Sequence, residues 1–349
     1  MRRVTKIAAA GIASAALALT ATACGSSSKD SDGDSSSSGK LKVGVAYDVG
    51  GRGDHSFNDS AAAGLDKAKA DFGVEVKELT AKTSDTEADR EQRLEDLADA
   101  GYNPVIGVGF AYADSITAAA KKYPKTTFAI VDSVVDAKNV DSIVFTEEQS
   151  SYLAGVAAAL KTKDNKVGFI GGVDIPLINK FEAGFRQGVE ETNPKIKVTT
   201  QYLTPGSDLS GFSDPAKGKA AAQGMLDNGI DVIYSAAGSS GNGAIEAVSG
   251  VKGAWAIGVD SDQYNIPGLS KYKNSILTSM VKNVDVGVYD FVKSVHDGKP
   301  LTGTNAYDLA KDGVGLSTSG GFIDDIKSQL DEAKTKIVSG DIKVKTTVK

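Results

Sequence analysis

Short apolar segments that are typical of buried strands alternate with amphipathic helical segments through most of the chain. The pattern runs from residue 40 to about residue 146 and then starts again, ending near residue 300. Strands that alternate with helices predict right-handed crossovers and a parallel sheet. Two successive runs therefore predict an α/β protein of two lobes, each an open, mostly parallel sheet flanked by helices. The chain has 349 residues, 41% of them hydrophobic, which is enough for two domains.

The predicted strands are bounded by turns and separated by helices of ordinary length. They are residues 41–47, 74–79, 104–109, 127–132 and 142–145 in the first run, and 166–171, 197–203, 231–236, 254–259 and 275–281 in the second. The predicted helices begin near residue 58 and then cover 86–100, 113–123, 149–162, 179–192, 216–228, 243–249 and 284–296. In open α/β sheets, ligands bind outside the carboxyl ends of the strands, so the candidate site residues are those that follow strands.

The segment 41–58 places several such residues together. Asp48 ends the first strand, a glycine-rich turn follows, and Phe57 and Asn58 stand where a helix begins. A carboxylate, a ring and an amide at a strand end could hold a small, flat, polar ligand. An alternative interpretation is structural: Asn58 caps the helix and Phe57 packs as a hydrophobic staple.

Further candidates follow the later strands, and all but Asp132 have a structural alternative. Phe110 and Gly238 could serve packing and a tight turn, and Phe212 could be a core residue that anchors its loop. Asp260 could be a helix N-cap or part of a loop salt bridge, and Lys282 could be an exposed surface lysine. The full set of these later candidates is Phe110, Asp132, Gly238, Asp260 and Lys282, with Phe212 added from the loop 204–215. Two lobes with facing carboxyl edges predict that the site is the cleft between them.

The first residues predict export and lipid attachment. Residues 1–23 combine a basic start with a short apolar run, which is typical of a signal peptide. Cys24 follows small residues, as in the lipobox of bacterial lipoproteins, although Ala21 stands where leucine is usual; an ordinary secretory signal is the alternative. Residues 24–39 are rich in Ser and Gly and predict a flexible tether. Removing residues 1–23 changes the net charge from 39 − 45 = −6 to 36 − 45 = −9.

Composition argues against several classes of function. The acidic chain offers no basic patch for nucleic acid, and no metal site or cofactor is predicted. It has two histidines and one cysteine, so no disulfide within the chain is expected, and it lacks the HExxH, G-x-S-x-G and Walker A motifs. Residues 238–243 do not match the dinucleotide-binding G-x-G-x-x-G pattern.

Several segments in order along the chain resemble the basic membrane protein family of lipoproteins, the purine-nucleoside-binding group within the type I periplasmic binding proteins. The matching segments are YDVGGRGDHSFND at 47–59, FAIVD at 128–132, FEAGFRQG at 181–188, YSAAGSSGNG at 234–243, GVDSDQ at 258–263 and SMVKN at 279–283.

The resemblance implies a monomeric substrate-binding lipoprotein of an ABC importer, without catalysis, on the extracytoplasmic face of the cell membrane. It would deliver a nucleoside to permease and ATPase subunits. It also implies that the chain crosses three times between the lobes. The N-terminal lobe would then be residues 40–146 plus about 283–312, and the C-terminal lobe 147–282 plus about 313–349. A lipid-tethered receptor for sugars or other small ligands is the main alternative, and a nucleoside hydrolase built on Asp48 and Asp132 is the enzymatic one.

The resemblance also assigns expected roles. Phe57 and Phe212 would stack on the two faces of a purine base, and Asn58 would donate to its edge. Asp132 and Asp260 would accept hydrogen bonds from ribose hydroxyls, and Lys282 would donate to the sugar. Asp48 would accept from a ribose or base donor.

Overall fold

The computed structural model describes residues 40–348. In this part of the chain, a first sheet of six parallel strands has the order β11-β5-β4-β3-β1-β2. Its strands are β1 Lys42–Tyr47, β2 Glu75–Thr80, β3 Val105–Val108, β4 Phe128–Val131, β5 Val140–Phe145 and β11 Gly303–Tyr307.

A second sheet of six strands has the order β12-β10-β9-β8-β6-β7, in which β12 alone runs antiparallel to its neighbour. Its strands are β6 Lys166–Asp174, β7 Lys197–Pro205, β8 Val232–Ala236, β9 Trp255–Asp260, β10 Ile276–Lys282 and β12 Val314–Leu316.

Nine α-helices flank the two sheets in the described residues. They are α1 Phe57–Phe72, α2 Glu87–Asp99, α3 Ala113–Lys122, α4 Glu147–Lys161, α5 Pro176–Thr192, α6 Pro215–Asp227, α7 Ser240–Ser249, α8 Val284–His296 and α9 Lys327–Ser339. None of the helices between residues 40 and 348 combines the length and apolar character that a membrane span needs.

The predicted fold class is confirmed: two mostly parallel sheets are flanked by helices. Every strand and helix that the sequence predicted is present, with ends displaced by a few residues. The structure adds β11, β12 and α9, which lie beyond residue 300, where the sequence analysis predicted no element.

The chain passes between the sheets three times: between β5 and β6, between β10 and β11, and between β11 and β12. Helix α4, between β5 and β6, packs on α5 and so belongs with the second sheet. Helix α8, between β10 and β11, packs on α1 and so belongs with the first sheet. We propose that the lobes follow these crossings: a first lobe of residues 40–146 with 283–312, and a second of 147–282 with 313–348.

The central strands are buried on both faces because helices cover both sides of each sheet. Strand β1 shows this directly, since every residue from Val43 to Tyr47 is buried. Core packing therefore fixes the position of each central strand. The residues at the carboxyl ends of these strands lie at the cavity. Cys24 and the predicted signal peptide and tether lie outside the described residues.

Candidate functional site

A cavity lies at the carboxyl ends of strands from both sheets. The residues singled out from the sequence all line it: Asp48, Phe57, Asn58, Phe110, Asp132, Phe212, Gly238, Asp260 and Lys282. They come from positions up to 234 residues apart, from Asp48 to Lys282, so it is the fold that brings them together. Their roles toward a ligand remain a prediction.

The cavity also has an apolar wall that the sequence analysis missed. Leu177, Ile178 and Phe181 line it from the first turns of α5. Apolar residues at this spacing are typical of a helix face in the core, so the pattern gave no signal of a binding role. The remaining lining residues are Val49, Asp54, Gly109, Ala236 and Val259.

Two carboxylates occupy matching places in the two sheets. Asp132 follows β4 and Asp260 ends β9, and each of these strands is third in its sheet order. Both residues have left-handed backbone conformations, with φ of 70° and 62°. Such conformations are uncommon outside glycine and are best tolerated by Asp and Asn. The two strand ends thus turn alike and bring one carboxylate each to the cavity.

Lys282 is buried among aromatic rings and carboxylates. Its Nζ donates to Asp132 Oδ2 at 2.6 Å and lies 4.9 Å from the ring centre of Phe57. The rings of Phe145 and Phe181 are 5.4 and 5.6 Å from the same nitrogen. Cation–π contacts and ion pairs of this kind stabilise a buried ammonium. The alternative of an exposed surface lysine is wrong, since Lys282 is 2% exposed.

The charges around Lys282 keep it protonated. Burial alone would lower the pKa of Lys282, but Asp132, Glu147 and Asp260 more than offset this and raise that pKa above its usual value. Glu147, the first residue of α4, is 3.6 Å from Nζ and does not line the cavity. Burial raises the pKa of Glu147, while Lys282 and Lys180 oppose the rise. Glu147 stands at a helix start and not at a strand end, so the strand pattern of the sequence did not single it out.

Asp48 and Asp260 are acids whose charged forms are disfavoured by burial. Burial raises the pKa of Asp48 to about 6, although the Val49 N–H, which donates to Asp48 Oδ1 at 2.7 Å, and Arg90 oppose this. Burial likewise raises the pKa of Asp260 to about 6, against the effects of Lys282 and of the Ser56 hydroxyl. A ligand that donates hydrogen bonds to these groups would favour their ionised forms.

The orientation of the Asn58 amide is set by its neighbours. Its Nδ2 donates to Asp54 Oδ2 at 3.0 Å and to Val49 O at 3.3 Å. Both partners can only accept, so the nitrogen must face them. Among the described residues, Asn58 Oδ1 is buried and has no hydrogen-bond partner. The atom that Asn58 can offer a ligand is therefore an acceptor, whereas the sequence analysis expected a donor.

The alternative in which Asn58 caps α1 and Phe57 is a staple is also wrong. The N-cap is Ser56, and Phe57 is the first helical residue. The carboxylate of Asp54 accepts from the backbone N–H groups of Ser56, Asn58 and Asp59 at 2.8 to 3.1 Å. The Asp54 carboxylate thus accepts the backbone N–H groups that a capping side chain would accept, and it also orients the Asn58 amide. Neither role was predicted from the sequence.

Half-buried aromatic rings border the cavity from both lobes. Phe110 and Phe212 approach each other edge to face, with ring centres 6.4 Å apart. The ring of Phe212 rests on Gly172, where a Cβ would lie 2.5 Å from Cδ1. At Gly238, a Cβ would lie 2.8 Å from the Phe212 carbonyl oxygen, and φ is +53°. The two glycines therefore permit the observed position of Phe212, and Gly238 has both a turn role and a place in the cavity.

The sequence of residues 40–347 matches the family model described as "Bmp: ABC transporter substrate-binding protein PnrA-like". The chain belongs to this family. The resemblance found in the sequence is thereby confirmed, and the family is one of transporter substrate-binding proteins.

Relatives and solved structures agree with this membership. The ABC transporter nucleoside-binding protein BmpA of Lactococcus lactis is 39% identical over 87% of this chain and 89% of its own. An uncharacterized lipoprotein of Pyrococcus abyssi is 35% identical over 79% of this chain and 69% of its own. An ABC transporter solute-binding protein of Aeropyrum pernix has a TM-score of 0.76 and 29% identity, and the match covers 88% of this chain and 94% of that one.

Proposed function

We propose that this Bmp family member captures nucleosides, and purine nucleosides in particular, in the interlobe cavity and delivers them to an ABC permease. We also propose that it does so from the extracytoplasmic face of the membrane, held by a lipid on Cys24, and that it carries out no catalysis. The name of the Lactococcus relative supports the nucleoside, and that of the Pyrococcus relative supports the lipid.

The main support for the nucleoside proposal is that one cavity contains both aromatic rings and buried hydrogen-bond acceptors that have no partner. Asn58 Oδ1 and Asp132 Oδ1 are buried and have no hydrogen-bond partner among residues 40–348. A buried acceptor without a donor costs free energy, so both atoms favour a ligand that donates. A nucleoside donates through its ribose hydroxyls and its base N–H groups, and its flat base can stack on a ring.

The charge of the cavity also suits a neutral, donor-rich ligand. Its described lining residues include one cation, Lys282, and four acids, Asp48, Asp54, Asp132 and Asp260. A phosphate would meet these acids as a like charge, whereas a ribose diol can donate to ionised carboxylates in strong charge-assisted hydrogen bonds. Nucleosides therefore fit better than nucleotides.

Calorimetric titration of the purified protein tests the proposal. We expect inosine, guanosine and adenosine to bind, ribose alone to bind weakly, and inosine monophosphate to bind more weakly than inosine. Purine riboside is the informative ligand because its base has no N–H donor to offer Asn58 Oδ1. We expect it to bind roughly 5- to 100-fold more weakly than inosine, since a buried acceptor is left unpaired.

Two controls make the outcome decisive. The 2′-deoxy form of inosine lacks one ribose donor and should bind about tenfold or more weakly. Ribose binding that equals inosine binding would replace the nucleoside with a sugar as the ligand. Release of free base during titration would instead show a hydrolase.

A further inference from the structure

Residues 54–56, which we call the interlobe strap, join the two lobes beside the cavity. Each of their three backbone carbonyls accepts a hydrogen bond from a side chain of the second lobe. Asn242 Nδ2 donates to Asp54 O at 2.9 Å, Gln263 Nε2 to His55 O at 2.9 Å, and Ser261 Oγ to Ser56 O at 2.8 Å.

The strap is held in the first lobe through its other backbone groups. The N–H of Ser56 donates to the Asp54 carboxylate, and those of Gly53 and His55 donate to the Asp59 carboxylate. The N–H groups of His55 and Ser56 thus bond within the first lobe, and all three carbonyls accept from the second, although the Ser56 carbonyl also accepts from the Ser60 N–H of α1 at 3.1 Å. The same Asp54 carboxylate orients the Asn58 amide, so the strap and the cavity share a residue.

The second-lobe partners are themselves connected. Gln263 Nε2 also donates to Asn242 Oδ1 at 3.2 Å, and Gln263 Oε1 accepts from the Val259 N–H at 3.1 Å. Close packing supports the hydrogen bonds, since a Cβ on Gly268 would lie 2.2 Å from His55 Nε2. None of Asn242, Ser261 and Gln263 lines the cavity.

We propose that Asn242, Ser261 and Gln263 are affinity-determining residues that act on the interlobe strap and not on the ligand. They stabilise the closed arrangement of the lobes, in which both sets of cavity residues face one ligand. This inference rests on the proposed function for the identity of the ligand. The three hydrogen bonds from Asn242, Ser261 and Gln263 to the strap carbonyls, which we call the latch, are formed by the two lobes themselves.

The physical consequence is a specific pattern of affinities. When a ligand binds a closed form that is only partly populated, the apparent Kd is the intrinsic Kd divided by the closed fraction. Loss of latch hydrogen bonds lowers that fraction by the same factor for every ligand. A residue that touches the ligand would instead change the ranking of ligands.

The test compares the double variant Asn242→Ala/Ser261→Ala with the wild type. We expect its Kd for inosine and for adenosine to rise by the same factor, about tenfold, through faster dissociation. Asn265→Ala is the matched control, because Asn265 Nδ2 bonds only within the second lobe, to Asp262 and Ser319. Ser261→Thr keeps the hydroxyl and should bind more like the wild type than Ser261→Ala does.

Distance measurement between spin labels provides a readout that needs no ligand. Labels on Lys77→Cys and Gln223→Cys, one exposed site in each lobe, are placed in the full chain carrying Cys24→Ser, which leaves no other cysteine. We expect the interlobe distances of the double variant to shift from those of the wild type.

Each outcome decides one proposal. Unchanged distances with unchanged Kd values, or unequal factors for inosine and adenosine, overturn the latch. If the wild type binds no nucleoside, the proposed function fails, and the distances alone then decide: a shift in the double variant supports the latch, and no shift overturns it.

Discussion

At the scale of single residues, the donors and acceptors next to a side chain decide what it can offer a ligand. Asn58 is the clearest case, because Asp54 Oδ2 and Val49 O take both hydrogens of its amide. A substitution that removes the nitrogen should therefore act on folding as well as on binding.

Asn58→Asp tests this arrangement. The new oxygen would face Asp54 Oδ2 and Val49 O, so a buried donor is replaced by an acceptor facing acceptors. We expect the free energy of unfolding to fall by about 2 kcal/mol or more, measured by urea denaturation, with nucleoside binding weakened as well.

The double variant Asp54→Asn/Asn58→Asp is the control, because it restores a donor between the two side chains. We expect it to recover part of the lost stability, which a double-mutant cycle quantifies. If Asn58→Asp is as stable as the wild type, the amide nitrogen does not bond to Asp54.

Asp260 gives a prediction about pH. Burial raises its folded-state pKa from 3.8 to about 6, so between about pH 4 and pH 6 the folded chain binds more protons than the unfolded chain. The contribution of Asp260 to stability therefore falls as the pH rises through this window. Asn resembles the protonated acid, so we expect Asp260→Asn to match the wild type near pH 4 and to be about 1 to 3 kcal/mol more stable at pH 7.

Thermal or urea unfolding across pH 4 to 7 checks the Asp260 prediction, with inosine titration at pH 7 beside it. Asn cannot accept a charge-assisted bond from a ribose hydroxyl, so we expect binding to weaken by tenfold or more. A stability difference that does not change with pH would show that Asp260 is not a buried acid of raised pKa.

The strand-end residues could be predicted from the sequence because a parallel sheet brings the carboxyl ends of its strands to one edge. Asp48, Asp132 and Asp260 needed only the strand pattern. Glu147 and Ser56 could not be predicted, because each acts through a partner far along the chain. Glu147 forms an ion pair with Lys282, and the Ser56 hydroxyl donates to Asp260. Local pattern carries no information about such pairs.

At the scale of elements, the helix pairs pack so closely that glycine is required at their contacts. A Cβ on Gly184 of α5 would lie 2.1 Å from Glu148 O of α4, and one on Gly188 would lie 2.1 Å from Tyr152 O. Helix propensity would favour alanine at both places. Backbone cannot yield as a flexible side chain can, so packing outweighs propensity here.

Gly188→Ala should therefore destabilise the protein, by about 1 to 3 kcal/mol, through overpacking. Gly224→Ala is the matched control, because Gly224 lies in α6 with nothing near its missing Cβ. We expect that control to stabilise by roughly 0.5 to 1 kcal/mol. Urea denaturation shows whether each substitution raises or lowers the free energy of unfolding. A stabilising Gly188→Ala would contradict the close packing of α4 and α5.

Two of the three elements that the sequence did not predict have no clear period. Strand β11 is an edge strand whose residues are exposed or half-buried, so no apolar alternation marks it. Strand β12 has only three residues. Helix α9 is different, because its buried residues Leu330, Ala333 and Ile337 follow the i, i+3, i+7 spacing of an amphipathic helix, so the sequence could have predicted it.

At the scale of the whole molecule, two sheets of matching strand order face each other across one cavity. β1, β3 and β4 of the first sheet stand where β6, β8 and β9 stand in the second. This correspondence explains why acids arise at equivalent strand ends, Asp132 and Asp260. It also fits the proposal that the site lies between the lobes, since the cavity residues Asn58 and Asp132 belong to the first proposed lobe and Asp260, Lys282 and Phe212 to the second.

Attachment to a membrane is the prediction that concerns the complete chain, and it depends on Cys24, outside the described residues. One acyl chain gives only marginal membrane binding, whereas two or more give stable anchoring. A diacylglycerol on the Cys24 sulfur would therefore keep the wild type with the membrane fraction through a high-salt wash, and labelled fatty acid would enter it. Cys24→Ser should take up no label and should leave the membrane fraction, while Ser27→Ala, in the same segment, should behave as the wild type. Equal labelling of wild type and Cys24→Ser would contradict the lipid anchor and leave the nucleoside proposal, which rests on residues 40–348, unaffected.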